Sequence, residues 1–286
     1  MGPLNGRICA VTGANSGLGK ATASGLAACG ACVIMICRDR ERGERAREEI
    51  EGAIEGAALR LRLADLGSLA QVRSLGEDLA GELNRLDVLV NNAGVYRAEL
   101  EKTGDGLEKT MAVNHLAHFL LTRMLLEPLQ AAEGRVINVS SESHRTSRLQ
   151  RAPLESILLG EANYNGYRAY SDSKAANILF TRELARRYGG AGLTTAAVHP
   201  GGVATRIWNQ NRNFLSLVAR LFKPFMRSPQ SGAEPILRLA ADADAAEMQG
   251  RYFNRMRSEQ PAGEAADPEL GMQLWELSER LCGIAG

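Results

Sequence analysis

Apolar residues along the chain come in short continuous runs separated by longer segments of helical spacing. The runs at 7–12, 32–37, 58–63, 86–91, 135–140 and 194–199, with a last one near 251–253, have strand length. Between them, apolar positions recur at helical intervals around 17–29, 40–52, 68–83, 107–131 and 167–188. Strand alternating with helix predicts a parallel sheet, because parallel neighbours can be joined only by a crossover. Runs such as ACVIMIC and LDVLVNN lack an in–out alternation and so predict strands buried on both faces. The pattern gives an α/β fold: a doubly wound three-layer sandwich around a central parallel sheet of about seven strands. No repeat, linker or low-complexity tract interrupts it, so residues 1–286 read as a single domain.

Two segments depart from the alternation. Residues 142–166 form a long polar stretch between a strand and a helix. Residues 201–228 follow a strand and carry Trp208, Phe214, Leu215, Leu217, Phe222 and Phe225. Both leave from carboxyl ends of strands, where open α/β sheets bind ligands, and long excursions there are commonly lids or pocket walls. The helical stripe Phe214, Leu217, Val218, Leu221 and Phe222, with Arg212, Arg220, Lys223 and Arg227 nearby, also has the form of an amphipathic membrane contact. We read it as a lid over an apolar pocket, and against membrane contact.

Composition narrows the function classes. Positive and negative charges nearly cancel, at 34 against 33, which leaves no basic footprint for nucleic acid. Five cysteines, an odd count, suggest neither a disulfide framework nor a metal site. His115 and His118 share a helix face but lack further ligands at metal spacing, so they read as packing residues; His199 reads as the end of the sixth strand. The sequence shows no leader pattern, no myristoylation pattern and no apolar run of spanning length, so a cytoplasmic protein is expected.

The chemistry begins after the first strand, at Thr12-Gly13-Ala14-Asn15-Ser16-Gly17-Leu18-Gly19. Glycines between a first strand and a first helix allow a tight turn, and the helix amides can then receive a pyrophosphate, as in Rossmann-type folds. The second strand ends at Arg38 rather than at an acidic residue, which suits the 2′-phosphate of NADP(H); Asp39 beside it would suit a free ribose. Further on, Tyr170 and Lys174 lie four apart on a helix and can face one site. A phenol whose pKa is lowered by a nearby ammonium and a cationic nicotinamide could exchange a proton with an alcohol.

These motifs, with NNAG (Asn91–Gly94), VNHLAHFLLT (Val113–Thr122), NVSS (Asn138–Ser141) and HPGGVAT (His199–Thr205), resemble the short-chain dehydrogenase/reductase superfamily, and within it the retinol dehydrogenase-like branch. The resemblance runs over essentially the whole chain. It implies that Tyr170 is the general acid/base, and that Lys174 binds the nicotinamide ribose and lowers the tyrosine pKa. It implies that Ser141, rather than Ser140, holds the substrate oxygen and that Asn114 anchors a relay water. Gly13, Asn15, Ser16, Gly17, Leu18, Gly19, Arg38, Asp65, Leu66, Asn92, Ala93, Gly94, Val203 and Thr205 would line the cofactor. Asp65 stands one place later than the usual L-D-L pattern would put it, and the gap from Ser141 to Tyr170 is wider than usual, which makes 142–166 a substrate-side insertion. Membrane-bound animal members carry an N-terminal hydrophobic anchor that this sequence lacks. Pairing of copies through the helices bearing Asn114 and Tyr170 is a further implication.

The sequence therefore predicts an oxidoreductase moving a hydride between NADP(H) and a small, largely apolar alcohol, aldehyde or ketone. Two rivals stand beside it. A nonenzymatic NADP(H)-binding sensor or scaffold shares the fold but has no need of the tyrosine, lysine and serine together. A protochlorophyllide reductase-like enzyme would carry a cysteine two residues after the lysine, where this chain has Ala176.

Overall fold

The computed structural model describes residues 2–203, 227–241 and 244–284. Seven strands lie parallel in one sheet: β1 (Ile8–Thr12), β2 (Cys32–Cys37), β3 (Ala58–Leu63), β4 (Val88–Asn91), β5 (Arg135–Val139), β6 (Thr194–His199) and β7 (Arg251–Asn254). Their order is β3-β2-β1-β4-β5-β6-β7. An eighth, β8 (Arg257–Glu259), pairs antiparallel with β7 at the edge. The sequence pattern gives about seven strands and misses β8 because Arg-Ser-Glu is short, polar and exposed, the way edges are protected from pairing with other chains.

Successive residues of each strand feed opposite layers. Cys9 and Val11 pack with Leu18 and Leu26 of α1 (Gly17–Ala28), Ile50 of α2 (Arg40–Ala53) and Ile236 of the helix Pro229–Ala241. Ala10, Ile34 and Ile36 face the other layer, with Leu79 of α3 (Leu69–Glu82) and the helices that follow β4 and β5. Two closed cores on one sheet explain why the strands read as unbroken apolar runs.

The helical region expected over 107–131 is not one helix. It runs as α4 (Lys109–Met111), a π-helical turn (Ala112–Leu116), α5 (Ala117–Met124) and α6 (Leu126–Ala131). Its start is fixed by Glu108, whose buried carboxylate accepts from the Thr110 and Met111 amides at 2.9 and 2.7 Å. The 142–166 excursion contains two short 3₁₀ turns followed by α7 (Leu154–Leu158) and leads into α8 (Gly166–Tyr188). Every residue of α8 from Ala169 to Thr181 is buried, so this helix has no solvated face over that stretch.

α8 is enclosed because later elements cover it. Among the described residues the helices that follow are α9 (Pro229–Ala241), α10 (Ala245–Met248) and α11 (Pro268–Cys282). Trp275 of α11 packs on Phe119 of α5 and Phe180 of α8, with ring centroids 4.9 and 5.9 Å away. Arg123 and Arg187 lie over its ring at 5.2 and 4.7 Å. His115 meets Ser278 Oγ at 3.0 Å on the same seam. The C-terminal helix α11 thus packs on both α5 and α8. All five cysteines are free, and no helix among the described residues is long and apolar enough to cross a membrane.

Candidate active site

The strand order reverses beside β1, whose neighbours are β2 and β4, and a ligand crevice belongs at the carboxyl ends of such strands. A cavity of about 430 Å³ opens there. It is lined by Gly13, Asn15–Gly19, Arg38, Asp65, Leu66, Asn92–Gly94, Ser141, Tyr170, Lys174 and Val203. Residues that the sequence did not single out also line it, among them Ile36, Ala64, Val95, Arg97 and Lys109. Thr205 and residues 204–226 of the expected lid lie outside the described residues.

The glycine turn is built for close approach. Gly13 and Gly17 have φ of +68° and +53°, a region that L side chains seldom occupy. At Gly19 a Cβ would stand 2.3 Å from the Gly13 carbonyl oxygen and 2.4 Å from Asn92 Nδ2, so only glycine fits. Asp39, Ser68, Asn165 and Asp267 cap α2, α3, α8 and α11 with their side chains, whereas Ser16 makes no such bond at α1. The amides of α1 therefore face the cavity uncapped and unscreened by any acidic residue in the first turn, which suits a phosphate.

Asp39 and Arg38 have different partners in the structure. Asp39 accepts the Arg42 amide at 2.9 Å as the N-cap of α2, a structural task that engages one of its carboxylate oxygens, although it lines the cavity too. Arg38 remains at the strand end, loosely paired with Asp65 at 4.0 Å. Arg42, which the sequence reading passed over, also lines the cavity. Its signal was available: it lies four residues after Arg38, one helical turn on. Two guanidinium groups at this end fit a dianionic 2′-phosphate better than a bare diol.

The wall opposite α1 is tied together by hydrogen bonds. Thr12 Oγ1 accepts the Asn92 and Ala93 amides, both at 2.9 Å, and lies 3.0 Å from His118 Nε2. His118 Nδ1 meets the Asn114 carbonyl at 3.0 Å, so the ring donates there and accepts from Thr12. His118 is therefore a packing residue with both nitrogens used. Asn114 sits in the π turn; its Oδ1 accepts the Val95 amide at 2.8 Å, and its Nδ2 donates to Ser173 Oγ at 2.9 Å and the Val95 carbonyl at 3.1 Å. Asn114 and Lys174 border one space: a Cβ on Gly94 would lie 3.5 Å from Asn114 Oδ1 and 3.7 Å from Lys174 Nζ.

Tyr170 and Lys174 converge as their spacing implied, and Ser141 joins them in the cavity lining as the resemblance implied. Lys174 Nζ donates to the Val139 carbonyl at 3.0 Å and lies 5.6 Å from the Tyr170 ring centre. Both side chains are buried. The Tyr170 hydroxyl is hydrogen-bonded to Ser141. Ser140 points elsewhere, its Oγ donating to the Lys174 carbonyl at 2.7 Å. The side chains by themselves act in the opposite direction to the one expected with a cationic nicotinamide beside the phenol. Burial pushes the Tyr170 phenol up to about 12, against the pull of the Ser141 hydrogen bond. Burial also lowers the Lys174 ammonium to about 8. At neutral pH the pair is a phenol beside a largely protonated lysine.

Comparison with known proteins agrees with this geometry. The chain matches the short chain dehydrogenase family over residues 7–153 and 156–215. It is 40% identical over 282 residues to retinol dehydrogenase 12 of Mus musculus, covering 98% of this chain and 88% of that protein. A crystal structure of an uncharacterised protein from Mycobacterium paratuberculosis aligns with a TM-score of 0.76 at 33% identity, covering 99% of this chain and 96% of that one. The NADP active-site complex of Pseudomonas aeruginosa RhlG aligns with a TM-score of 0.69 at 27% identity, covering 89% and 97%. The chain belongs to the short-chain dehydrogenase family of oxidoreductases. Within that family it falls in the retinol dehydrogenase-like branch.

Proposed function

We propose that the protein is an NADP(H)-dependent reductase of largely apolar aldehydes and ketones, able to run in reverse on the matching alcohols. One observation carries the reading: a buried Tyr170 hydroxyl bonded to Ser141, with Lys174 beneath its ring, in the cavity that the glycine turn and two arginines close at the other end. A sensor or scaffold would have no use for burying such a group.

The cavity residues fit the cofactor. Gly13, Gly17 and the α1 amides would receive the pyrophosphate, Arg38 and Arg42 the 2′-phosphate, and Asp65 and Leu66 would flank the adenine. Asn92, Ala93, Gly94 and Val203 would line the remainder. When bound, NADP(H) supplies or accepts the hydride. The chain's own residues handle the oxygen and its proton. Ser141 Oγ holds the carbonyl oxygen beside Tyr170 Oη, and as negative charge grows on that oxygen the phenol gives up its proton. A phenol held near 12 is the proton-bearing form at neutral pH, which favours reduction. Lys174 stabilises the phenolate left behind, and Asn114, across the Gly94 space, is placed to anchor a water that returns the proton. Above about pH 8 the ammonium is lost and this support weakens.

An apolar substrate is supported by the Tyr96 ring, edge-on to Tyr170 at 6.3 Å, and by the name of the mammalian relative. The test is a panel of apolar aldehydes and ketones with NADPH, followed by loss of reduced-cofactor absorbance. Turnover of bulky apolar carbonyls is expected. A purified protein that binds NADPH but consumes it with none of them would overturn the proposal.

A further inference from the structure

Ser141 depends on its neighbours for its orientation, because it is the last residue before the long insertion begins. Its Oγ accepts the Ser143 amide at 3.2 Å, while its carbonyl receives two bonds from His144. The His144 amide reaches it at 3.1 Å and His144 Nδ1 at 2.8 Å. The other ring nitrogen, Nε2, accepts the Ala262 amide at 3.2 Å. A backbone amide can only donate, so Nε2 carries no proton and the proton sits on Nδ1, where it is donated to the Ser141 carbonyl. The ring is 1% exposed and stands edge-on to Tyr252 of β7 at 4.8 Å. Burial moves it below the ordinary histidine range, consistent with a neutral imidazole.

The same C-terminal stretch grips the insertion again a few residues later. Glu264 accepts from Leu149 N at 2.5 Å and from Ser147 Oγ at 3.1 Å. Asp172, between Tyr170 and Lys174 on α8, accepts from Arg148 N at 2.8 Å, lies 3.1 Å from the same Ser147 Oγ, which has one proton for the two carboxylates, and pairs with Arg151 at 2.5 Å. The insertion is therefore clamped between the catalytic helix and residues 262–264. His144 is the point at which that clamp reaches Ser141.

We infer that His144 is a positioning residue for Ser141: locked as the Nδ1–H tautomer by the Ala262 amide, it fixes the Ser141 backbone and so the place of the substrate-oxygen hydroxyl. The inference rests on the proposed reductase function, and its tests separate the two. The first needs no turnover. The chain has four histidines, and ¹⁵N-labelled holoprotein at pH 7 should show one ring, absent in His144→Asn, protonated at Nδ1 and bare at Nε2. A ring protonated at Nε2 overturns the inference. The second is kinetic, with NADPH and an aldehyde that the wild type turns over. His144→Ala should lower kcat by about ten- to hundredfold, the loss expected when a reacting group drifts by a fraction of an ångström to an ångström. Its NADPH affinity should stay at the wild-type value. His144→Asn, whose amide can still donate to the Ser141 carbonyl, should recover most of the rate. A kcat within about twofold of wild type in His144→Ala, measured beyond doubt against that expectation, overturns the inference. So does an alanine variant whose rate and NADPH affinity fall together, or an asparagine variant no better than alanine. Should His144→Ala not fold, the asparagine rate against wild type and the tautomer decide. A wild type inactive on every carbonyl, with the tautomer as stated, refutes the reductase function and leaves the geometry intact.

Discussion

Arg38 offers a sharp test of cofactor choice because two cofactors differ by one group at one end of the cavity. Arg38→Ala removes a guanidinium whose side chain is 62% exposed and whose partner, Asp65, lies 4.0 Å away. Hydrogen bonds to a charged group contribute about 1.5–3 kcal/mol. High exposure places Arg38 at the lower end, and 1.4 kcal/mol is about tenfold in Kd. Losing the weak pairing with Asp65 leaves its carboxylate closer to the phosphate uncompensated, a correction of about a few tenths of a kcal/mol. NADPH binding should therefore weaken about tenfold in Arg38→Ala and about a hundredfold when Arg42→Ala is added. NADH has no 2′-phosphate, and its Kd should change by less than about twofold. Titrating both cofactors by reduced-nicotinamide fluorescence reads this directly, and raising the salt should erode the NADPH advantage. Equal losses for NADPH and NADH, or a wild type that prefers NADH, would refute the assignment of these arginines.

Two further outcomes follow from packing and burial. Gly19→Ala places a methyl against the Gly13 carbonyl, which cannot swing aside, so NADPH affinity should fall at least about tenfold with a stability loss of about 1–3 kcal/mol. Thermal melts and cofactor titration check it; a variant that binds and melts like wild type contradicts the close approach drawn at the turn. His115 and His118 are each depressed from 6.5 to about 3 by burial. Below pH 6.5 the unfolded chain then binds more protons than the folded one, so stability is full above that pH and declines as pH falls, until the rings protonate in place near pH 3. Each should cost about 1.4 kcal/mol per pH unit, and urea midpoints that stay flat between pH 6.5 and 5 would contradict this.

What the sequence revealed follows from which signals are local. Apolar runs located the parallel strands because the inner ones are buried on both faces; β3, with its alternating arginines, is the exception. The glycine turn, Arg38, Tyr170 and Lys174 were legible because their chemistry is tied to short spacings within one or two elements, whereas Ser141 was named only through the family resemblance. The π turn at Ala112–Leu116 left no trace, since one widened turn hardly alters the apolar period of a buried helix. Asp172, Glu264 and His144 were invisible for another reason. Their partners lie tens to more than a hundred residues away, and only the fold brings Ala262 to His144. The lysine's proximity to Tyr170 was evident from spacing, whereas the burial that raises the phenol was not.

The central claim is that Tyr170 supplies the proton for a hydride transfer from NADPH to an apolar carbonyl. The most direct measurement uses NADPH deuterated at the transferring position of its nicotinamide, an apolar aldehyde, and mass spectrometry of the alcohol formed. The wild type should place one deuterium on the carbinol carbon. Tyr170→Phe should bind NADPH as well as wild type yet form that product at least about a hundredfold more slowly, the lower end for losing a general acid. Product without deuterium, or labelled product formed by Tyr170→Phe at the wild-type rate, would contradict the account.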